Sequence, residues 1–223
     1  MTGSQLLSFS PCMSIFDHNT RCPVFCIAEI PTTILDRLLD CTDEYWEEFN
    51  SANLTTTASD TIAFINAKDI TEISNLLVPS RPTSLSPTAF IGDTLQEVRD
   101  WFDTNITQAE HPAFMPYCFF VLDKQSAEDE TCLFVCTQDA PLQFLRCHFD
   151  IAMQCAVVCD NGQAIDESTE GRFMRSGVIM TKANAKLVMD GGLYIEGGEV
   201  KLDEYWRYLG LREEEEDSSD TPL

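Results

Sequence analysis

Residues 112–160 constrain the fold more than any other part of this chain. Short apolar runs alternate there with polar turns, and six of the ten cysteines lie within it. Apolar runs of this length, rich in Phe, Val and Cys and bounded by turn residues, are typical of buried β-strands. The pattern predicts strands at 117–122, 131–137 and 142–149, the last two forming a hairpin. The stretch that follows, 151–158, fits either a helix or a strand.

Acidic first turns and apolar residues at helical spacing predict two helices before this region. The first begins at Thr42 or Asp43, where two acids favour the helix dipole. The second begins at Asp93 or Thr94, with apolar side chains following at intervals of three and four residues. Two more strands are predicted, at 22–30 and 61–67.

Together these elements predict an α+β or α/β fold. We expect a mixed sheet of four to six strands with two main helices packed on it, plus a C-terminal β-meander and a short helix. The meander is inferred from Asp-Gly-Gly and Glu-Gly-Gly between short apolar runs at 187–202. The predicted organisation is an irregular N-terminal segment (1–20), a core domain (21–165), a C-terminal part that extends the core or forms a small lobe (166–211), and a disordered acidic tail (212–223).

The ten cysteines raise the question of metal or disulfide chemistry. Three pairs have three intervening residues, which approaches zinc-ligand spacing. However, the cysteines lie in apolar runs rather than in polar turns, and a free cysteine behaves as a small buried hydrophobe. No apparent secretory signal precedes them. We therefore predict reduced thiols in a cytoplasmic protein, with no metal and no cofactor. The three pairs are Cys22 with Cys26, Cys132 with Cys136, and Cys155 with Cys159.

The net charge of −23 excludes several classes of partner. Nearly half of the imbalance lies in the first half of the chain rather than in a tail. Such a surface repels nucleic-acid phosphates and anionic lipids, so neither nucleic acid nor membrane is expected as a partner. It attracts basic proteins or cations, although solubility alone also explains it.

Candidates for a catalytic site are Asp123, Cys147 and His148. A nucleophilic cysteine needs a neighbouring base or positive charge. Cys147 and His148 are adjacent in sequence, but adjacent residues of a strand face opposite sides of a sheet, which argues against a dyad. The sequence contains no nucleophile elbow, no zinc-protease motif and no phosphate-binding glycine loop.

Residues 171–189 contain no acid and four bases. In so acidic a chain this segment is a candidate interaction site. Its acidic partner would be residues 212–217 of the tail or another copy of the chain. The alternative is a solvated strand–turn region, because exposed charge pairs contribute little. The four candidate interaction residues are Arg172, Arg175, Lys182 and Lys186.

The chain resembles an uncharacterised small α/β domain family found in actinobacterial and fungal proteins. The matching features lie within about residues 30–165: an acid-opened helix containing Trp46, a helix leading to His111-Pro112, and an apolar strand ending at Asp123. The chain differs in its Pro/Ser-rich stretch at 79–90 and after about residue 165. That family has no assigned activity, so the resemblance implies a fold but no catalytic residue.

We therefore expect an acidic protein that acts through protein contacts without catalysis, with a protein partner or a homo-oligomer as its assembly. The alternative is a small-molecule enzyme with a carboxylate- or Cys/His-based site at the ends of the central strands. A pocket containing a perturbed titratable group would favour the enzyme. An exposed apolar patch would favour the interaction protein.

Overall fold

The computed structural model describes residues 20–49, 57–73, 88–138, 142–160, 169–190, 193–196 and 199–202. The predicted N-terminal segment and acidic tail, and most of the Pro/Ser-rich stretch, lie outside these residues. The strands are β1 (Cys22–Cys26), β2 (Ile62–Ile65), β3 (Cys118–Leu122), β4 (Thr131–Cys136), β5 (Gln143–His148), β6 (Leu193–Glu196) and β7 (Glu199–Leu202). The α-helices are α1 (Thr32–Phe49), α2 (Ala58–Thr61), α3 (Ile70–Ile73), α4 (Leu95–Phe102), α5 (Ser126–Asp129), α6 (Phe149–Asp160), α7 (Thr169–Ser176) and α8 (Lys182–Met189).

Five strands form a mixed sheet in the order β2-β1-β3-β4-β5. β1 is parallel to both β2 and β3, whereas β4 is antiparallel to β3 and β5. The predicted mixed sheet of four to six strands is confirmed. The central strands are buried at every position and almost entirely apolar, because both of their faces are covered, as in other buried sheets.

Helices α1 and α6 cover the first face of the sheet and pack against each other. Two polar side chains in this layer have hydrogen-bond partners. The Trp46 Nε1–H donates to Thr61 Oγ1 at 3.1 Å, and the Thr42 hydroxyl donates to the Leu38 carbonyl oxygen at 2.9 Å. The bond from Thr42 to Leu38, four residues earlier, places Thr42 within α1, so the prediction that a helix starts at Thr42 or Asp43 is wrong. The helix begins just after Pro31, whose carbonyl oxygen accepts from the Ile34 and Leu35 amides.

The second face carries a separate core built largely of aromatic rings. Phe25 lies at its centre, edge-on to Phe90 and Phe119 at centroid distances of 5.0 and 5.3 Å. Helix α4 covers this face, and its predicted start at Thr94 is confirmed by a capping box with Glu97. A π-helical turn, Asp103–Thr107, continues α4 directly and buries one further apolar side chain.

β5 passes into α6 with no residue between them. The stretch at 151–158, which fitted either element, is therefore helical. It has few polar residues because it is buried between α1 and the sheet. The first amide of α6, that of Phe149, donates to the Glu130 carbonyl oxygen at 3.0 Å.

The C-terminal part contains more helix than we predicted. Helix α7 lies before the stretch expected to form a β-meander, helix α8 covers its first residues, 187–189, and the strands that remain form a two-stranded hairpin, β6–β7. Helix α8 begins after Thr181, which caps it through a capping box with Asn184. The apolar run at 187–189 forms the last residues of this helix. α7 packs against β5, and an isolated parallel bridge joins Met180 to Cys147.

Candidate functional site

A groove of about 680 Å³ lies beside β5, the last strand of the sheet. Its lining is mostly apolar, with two glutamine amides and one arginine as its polar groups. One side is formed by β5 and the neighbouring surface of β4, and the other by α7 and the residues after it. The lining residues are Gln125, Leu133, Leu142, Gln143, Phe144, Leu145, Arg146, Phe173, Met174, Gly177 and Ile179.

The groove exists because the aromatic core that covers the second face of the sheet extends over β4 but not over β5. Leu133 and Val135 of β4 belong to the aromatic core, but Phe144, which pairs with Val135, is 44% exposed. Ile179, on the opposite side of the groove, is 36% exposed. Two large apolar side chains therefore meet solvent across one groove.

The backbone of β5 is only partly paired along its outer edge. The Met180 amide donates to the Arg146 carbonyl oxygen at 2.9 Å, and the His148 amide donates to the Met180 carbonyl oxygen at 2.8 Å. The ladder ends there, because the Val178 amide donates instead to Ser176 Oγ at 3.1 Å. Gly177, with φ +69°, turns the chain out of α7 at this point.

Backbone groups alternate in direction along a strand. Because Arg146 and His148 bond outward to Met180, the N–H and C=O of Phe144 and the N–H of Arg146 also point away from β4. Among the described residues, none contributes a hydrogen bond to these three groups. The open edge therefore coincides with the exposed Phe144 side chain.

Asp123, the first catalytic candidate, is engaged in a local network. It accepts from the Ser126 amide and hydroxyl, each at 3.0 Å, and Arg146 binds both of its carboxylate oxygens, Nη1 at 3.2 Å from Oδ1. Burial raises the pKa of Asp123, but the hydrogen bonds from Arg146 and Ser126 outweigh it, so the pKa lies below its ordinary value. A carboxylate held ionised in this way is a poor general acid or base near neutral pH.

Cys147 and His148 lie on opposite faces of β5, as the alternation of a strand requires. The Cys147 thiol is fully buried, and its Sγ lies 3.6 Å from that of Cys132, the residue opposite it on β4. Hydrogen bonding with Cys132, together with burial, raises the pKa of Cys147 well above its ordinary value. His148 Nδ1 lies 3.1 Å from Asp150 Oδ1 and accepts from the Asp150 amide at 3.3 Å. The structure does not bring these groups together as an activated nucleophile.

The four basic candidates are divided between two helices. Arg172 and Arg175 belong to α7, and the Arg172 side chain is exposed. Lys182 and Lys186 lie one turn apart on α8, and Lys182 Nζ is 2.6 Å from both carboxylate oxygens of Glu48. The assignment of these residues as an interaction site stays a prediction.

The remaining cysteines belong to the core. All nine that the structure describes are free and buried, and they are spread over β1, α1, β3, β4, β5 and α6. Burial raises the pKa of Cys26 to about 12 and that of Cys41 to about 11. Within the described ranges, no group of three or more His, Cys, Asp or Glu side chains is arranged to hold a metal ion.

Sequence reasoning missed the residues that define the groove. Phe144, Arg146 and His148 lie on the same face of β5. One aromatic and two polar residues on one face of a strand indicate that this face is only partly covered. Ile179 gave no comparable signal, because its position depends on how α7 packs against the sheet.

Comparisons with known proteins leave this site to be interpreted from its own geometry. A helix long and apolar enough to cross a membrane is not found among the described residues. No protein family, curated protein or solved structure matches the chain, so the resemblance to the small α/β domain family stays a prediction.

Proposed function

We propose that this chain acts by binding a partner protein along the open edge of β5, without catalysis of its own. The observation that carries the proposal is the coincidence of an incompletely paired edge strand with an apolar groove in which Phe144 and Ile179 are exposed. Unpaired strand edges bind extended segments of other proteins through backbone hydrogen bonds, and adjacent pockets select the side chains.

The composition of the edge supports this proposal. Proteins usually protect exposed edges with lysine, proline or a bulge, because an open apolar edge promotes aggregation. Here Gln143 and Phe144 are uncharged, and the charge on Arg146 is neutralised by Asp123. An edge of this kind is stable in solution when a partner covers it.

The groove also differs from a small-molecule active site. Its polar groups are two amides and an arginine that is already paired, and the titratable candidates nearby are an ionised carboxylate and a buried thiol. Among the described residues that line the groove, none is a histidine, carboxylate, thiol or hydroxyl that could transfer a proton or attack a substrate.

Photo-crosslinking from the edge would test the proposal. The photoreactive residue p-benzoylphenylalanine would replace Phe144 in one version of the chain and Ile91 in another, since Ile91 is equally exposed at 43% but lies outside the groove. In extracts of cells that naturally contain this protein, we expect a specific adduct from position 144 that is absent from position 91.

The captured protein would then be purified and its affinity measured. Truncating a central apolar contact typically weakens binding about tenfold or more. We expect that effect from Phe144→Ser and none from Ile91→Ser. The same adducts from both positions, or equal affinities of the two variants, would contradict the proposal.

A further inference from the structure

We infer that the partner contributes an extended, basic segment that adds to the sheet as a strand beside β5, with apolar side chains at alternate positions. This inference rests on the proposed function and specifies the chemistry of the partner. Three features of the groove support it: the backbone groups of β5 that no described residue pairs, the location of its exposed apolar side chains, and the acidic residues beside the end lined by Gln125.

The backbone requires an extended occupant. The N–H and C=O of Phe144 and the N–H of Arg146 lie in a row along the strand, which is the pattern that another strand satisfies. Met180 already makes two such bonds at the next position along β5. A helix satisfies its own backbone groups and would leave those of β5 unpaired.

The exposed apolar side chains indicate that the partner segment has apolar residues at every second position. Phe144 and Leu133 are on the same face of the sheet, and Ile179 borders the groove from the other side. Side chains of an extended segment point alternately to opposite faces, so every second residue would reach this apolar surface. The residues between them would face away from the groove.

Charge determines which extended segment fits. Gln125, which lines one end of the groove, donates to Asp129 Oδ2 at 2.8 Å, and Glu128 is exposed on the same short helix, α5. In the described part of the chain, neither Glu128 nor Asp129 has an ion pair, whereas neighbouring Glu130 is paired with Arg37. A lysine or arginine of the partner at this end would meet the exposed Glu128 carboxylate and the carboxylate of Asp129, which accepts hydrogen bonds from Gln125 and Thr131 but has no ion pair in the described part of the chain.

The same argument disfavours two other occupants. A second copy of the chain also carries a net charge of −23, and residues 212–217 of the tail include five acids and one base. Bringing either onto an acidic end adds repulsion between like charges. A basic segment is attracted both by the local carboxylates and by the surface as a whole.

Synthetic peptides would test this inference on the full-length chain by fluorescence anisotropy. The probe is a labelled nonapeptide that alternates lysine with valine, and its controls alternate glutamate or serine with valine. We expect the lysine peptide to bind at least about tenfold more tightly than the glutamate peptide. Because local charge is screened by salt, raising the salt concentration from 0.05 to 0.5 M should reduce this difference.

Two variants would locate the binding. Phe144→Pro removes an outward N–H while keeping a residue that edge strands tolerate, and we expect it to abolish binding of the lysine peptide. Glu128→Gln should weaken the lysine peptide about threefold or more and leave the serine peptide unchanged. Glu47→Gln, an exposed change on α1, is the matched control.

The outcomes separate this inference from the proposed function. Equal binding of the lysine and glutamate peptides, or lysine-peptide binding that survives both Phe144→Pro and Phe144→Ser, would overturn the inference while leaving the crosslinking result intact. Light scattering that detects a dimer of the wild-type chain but a monomer of Phe144→Pro would also overturn it, in favour of a second copy as the occupant.

Discussion

Arg146 and Asp123 form a two-point ion pair that joins the edge strand β5 to the residue just after β3. The Arg146 Nη1 also donates to Thr131 Oγ1 at 2.9 Å, so one guanidinium links three segments of the chain. The pair lies at one end of the groove and is mostly shielded from water, with side-chain exposures of 14% and 22%. A bidentate pair of this kind fixes the position of both partners.

Breaking this pair should destabilise the fold. Asp123→Asn would leave the Arg146 charge without its counterion in a largely buried position, which typically costs about 2 kcal/mol or more. We expect that decrease in the free energy of unfolding from urea titrations followed by circular dichroism. The control Glu128→Gln should change it by less than about 0.5 kcal/mol, as exposed substitutions usually do. Equal effects of the two variants would contradict a structural role for the pair.

The same carboxylate should make stability depend on pH. Its pKa is lower in the folded chain than in the unfolded chain, so the folded state favours the ionised form. The stabilisation is therefore present above the unfolded pKa of about 4 and is lost as the pH falls through the folded pKa. Urea midpoints measured from pH 7 to pH 3 should converge for the wild-type chain and Asp123→Asn. A constant difference over this range would show that another group is responsible.

The thiols should react slowly in the folded protein. Hydrogen bonding between thiols, together with burial, raises the pKa of Cys147 and Cys155 well above the ordinary value, so little thiolate forms near neutral pH. An aromatic disulfide reagent without reductant should count ten thiols after unfolding. In the native state, the nine buried thiols should react at least about a hundredfold more slowly, since reaction requires local or global opening. Rapid native reaction of several thiols, or a count well below ten, would contradict this.

The capping box of α4 offers a test of local structure. The Glu97 amide donates to Thr94 Oγ1 at 3.3 Å, and the Thr94 amide donates to Glu97 Oε2 at 2.7 Å. Thr94→Ala should lower the free energy of unfolding by about 1 kcal/mol. The matched control is Thr104→Ala, because Thr104 is exposed and, among the described residues, its hydroxyl donates to the Asp100 carbonyl oxygen one turn earlier. A larger loss at Thr104 than at Thr94 would contradict the assigned helix start.

The central strands were predictable because their signal is local. The apolar runs around Phe25, Phe120 and Phe134 are short, bounded by turns, and too continuous for a surface strand. The start of α4 was also predictable, because Thr94 and Glu97 have the spacing of a capping box.

Other elements depended on competition between signals. Thr42 followed by acids is typical of a helix start, but Pro31 lies eleven positions earlier and α1 begins beside it. The Thr42 hydroxyl is satisfied within the helix instead. The helical state of α6 depends on being enclosed by the sheet and α1, which no local pattern encodes.

The candidate site was the least predictable part. Arg146 and Asp123 are 23 positions apart, and their pairing requires the antiparallel register of β3, β4 and β5. Which strand lies at the edge, and where the ladder beside it stops, depends on Met180 and Val178 from a distant segment. Long-range packing determines these features, whereas residue pattern determines the strands themselves.

The direct passage from β5 into α6 also limits how the sheet can rearrange. If β5 slipped by one residue against β4, its side chains would exchange faces, and with no loop to absorb the change α6 would have to shift and turn with it. An α-helix turns by about 100° per residue, so such a shift would carry buried side chains of α6 toward solvent. The direct junction between His148 and Phe149 thus fixes the register of β5 against β4, and with it the positions of the side chains that line the groove.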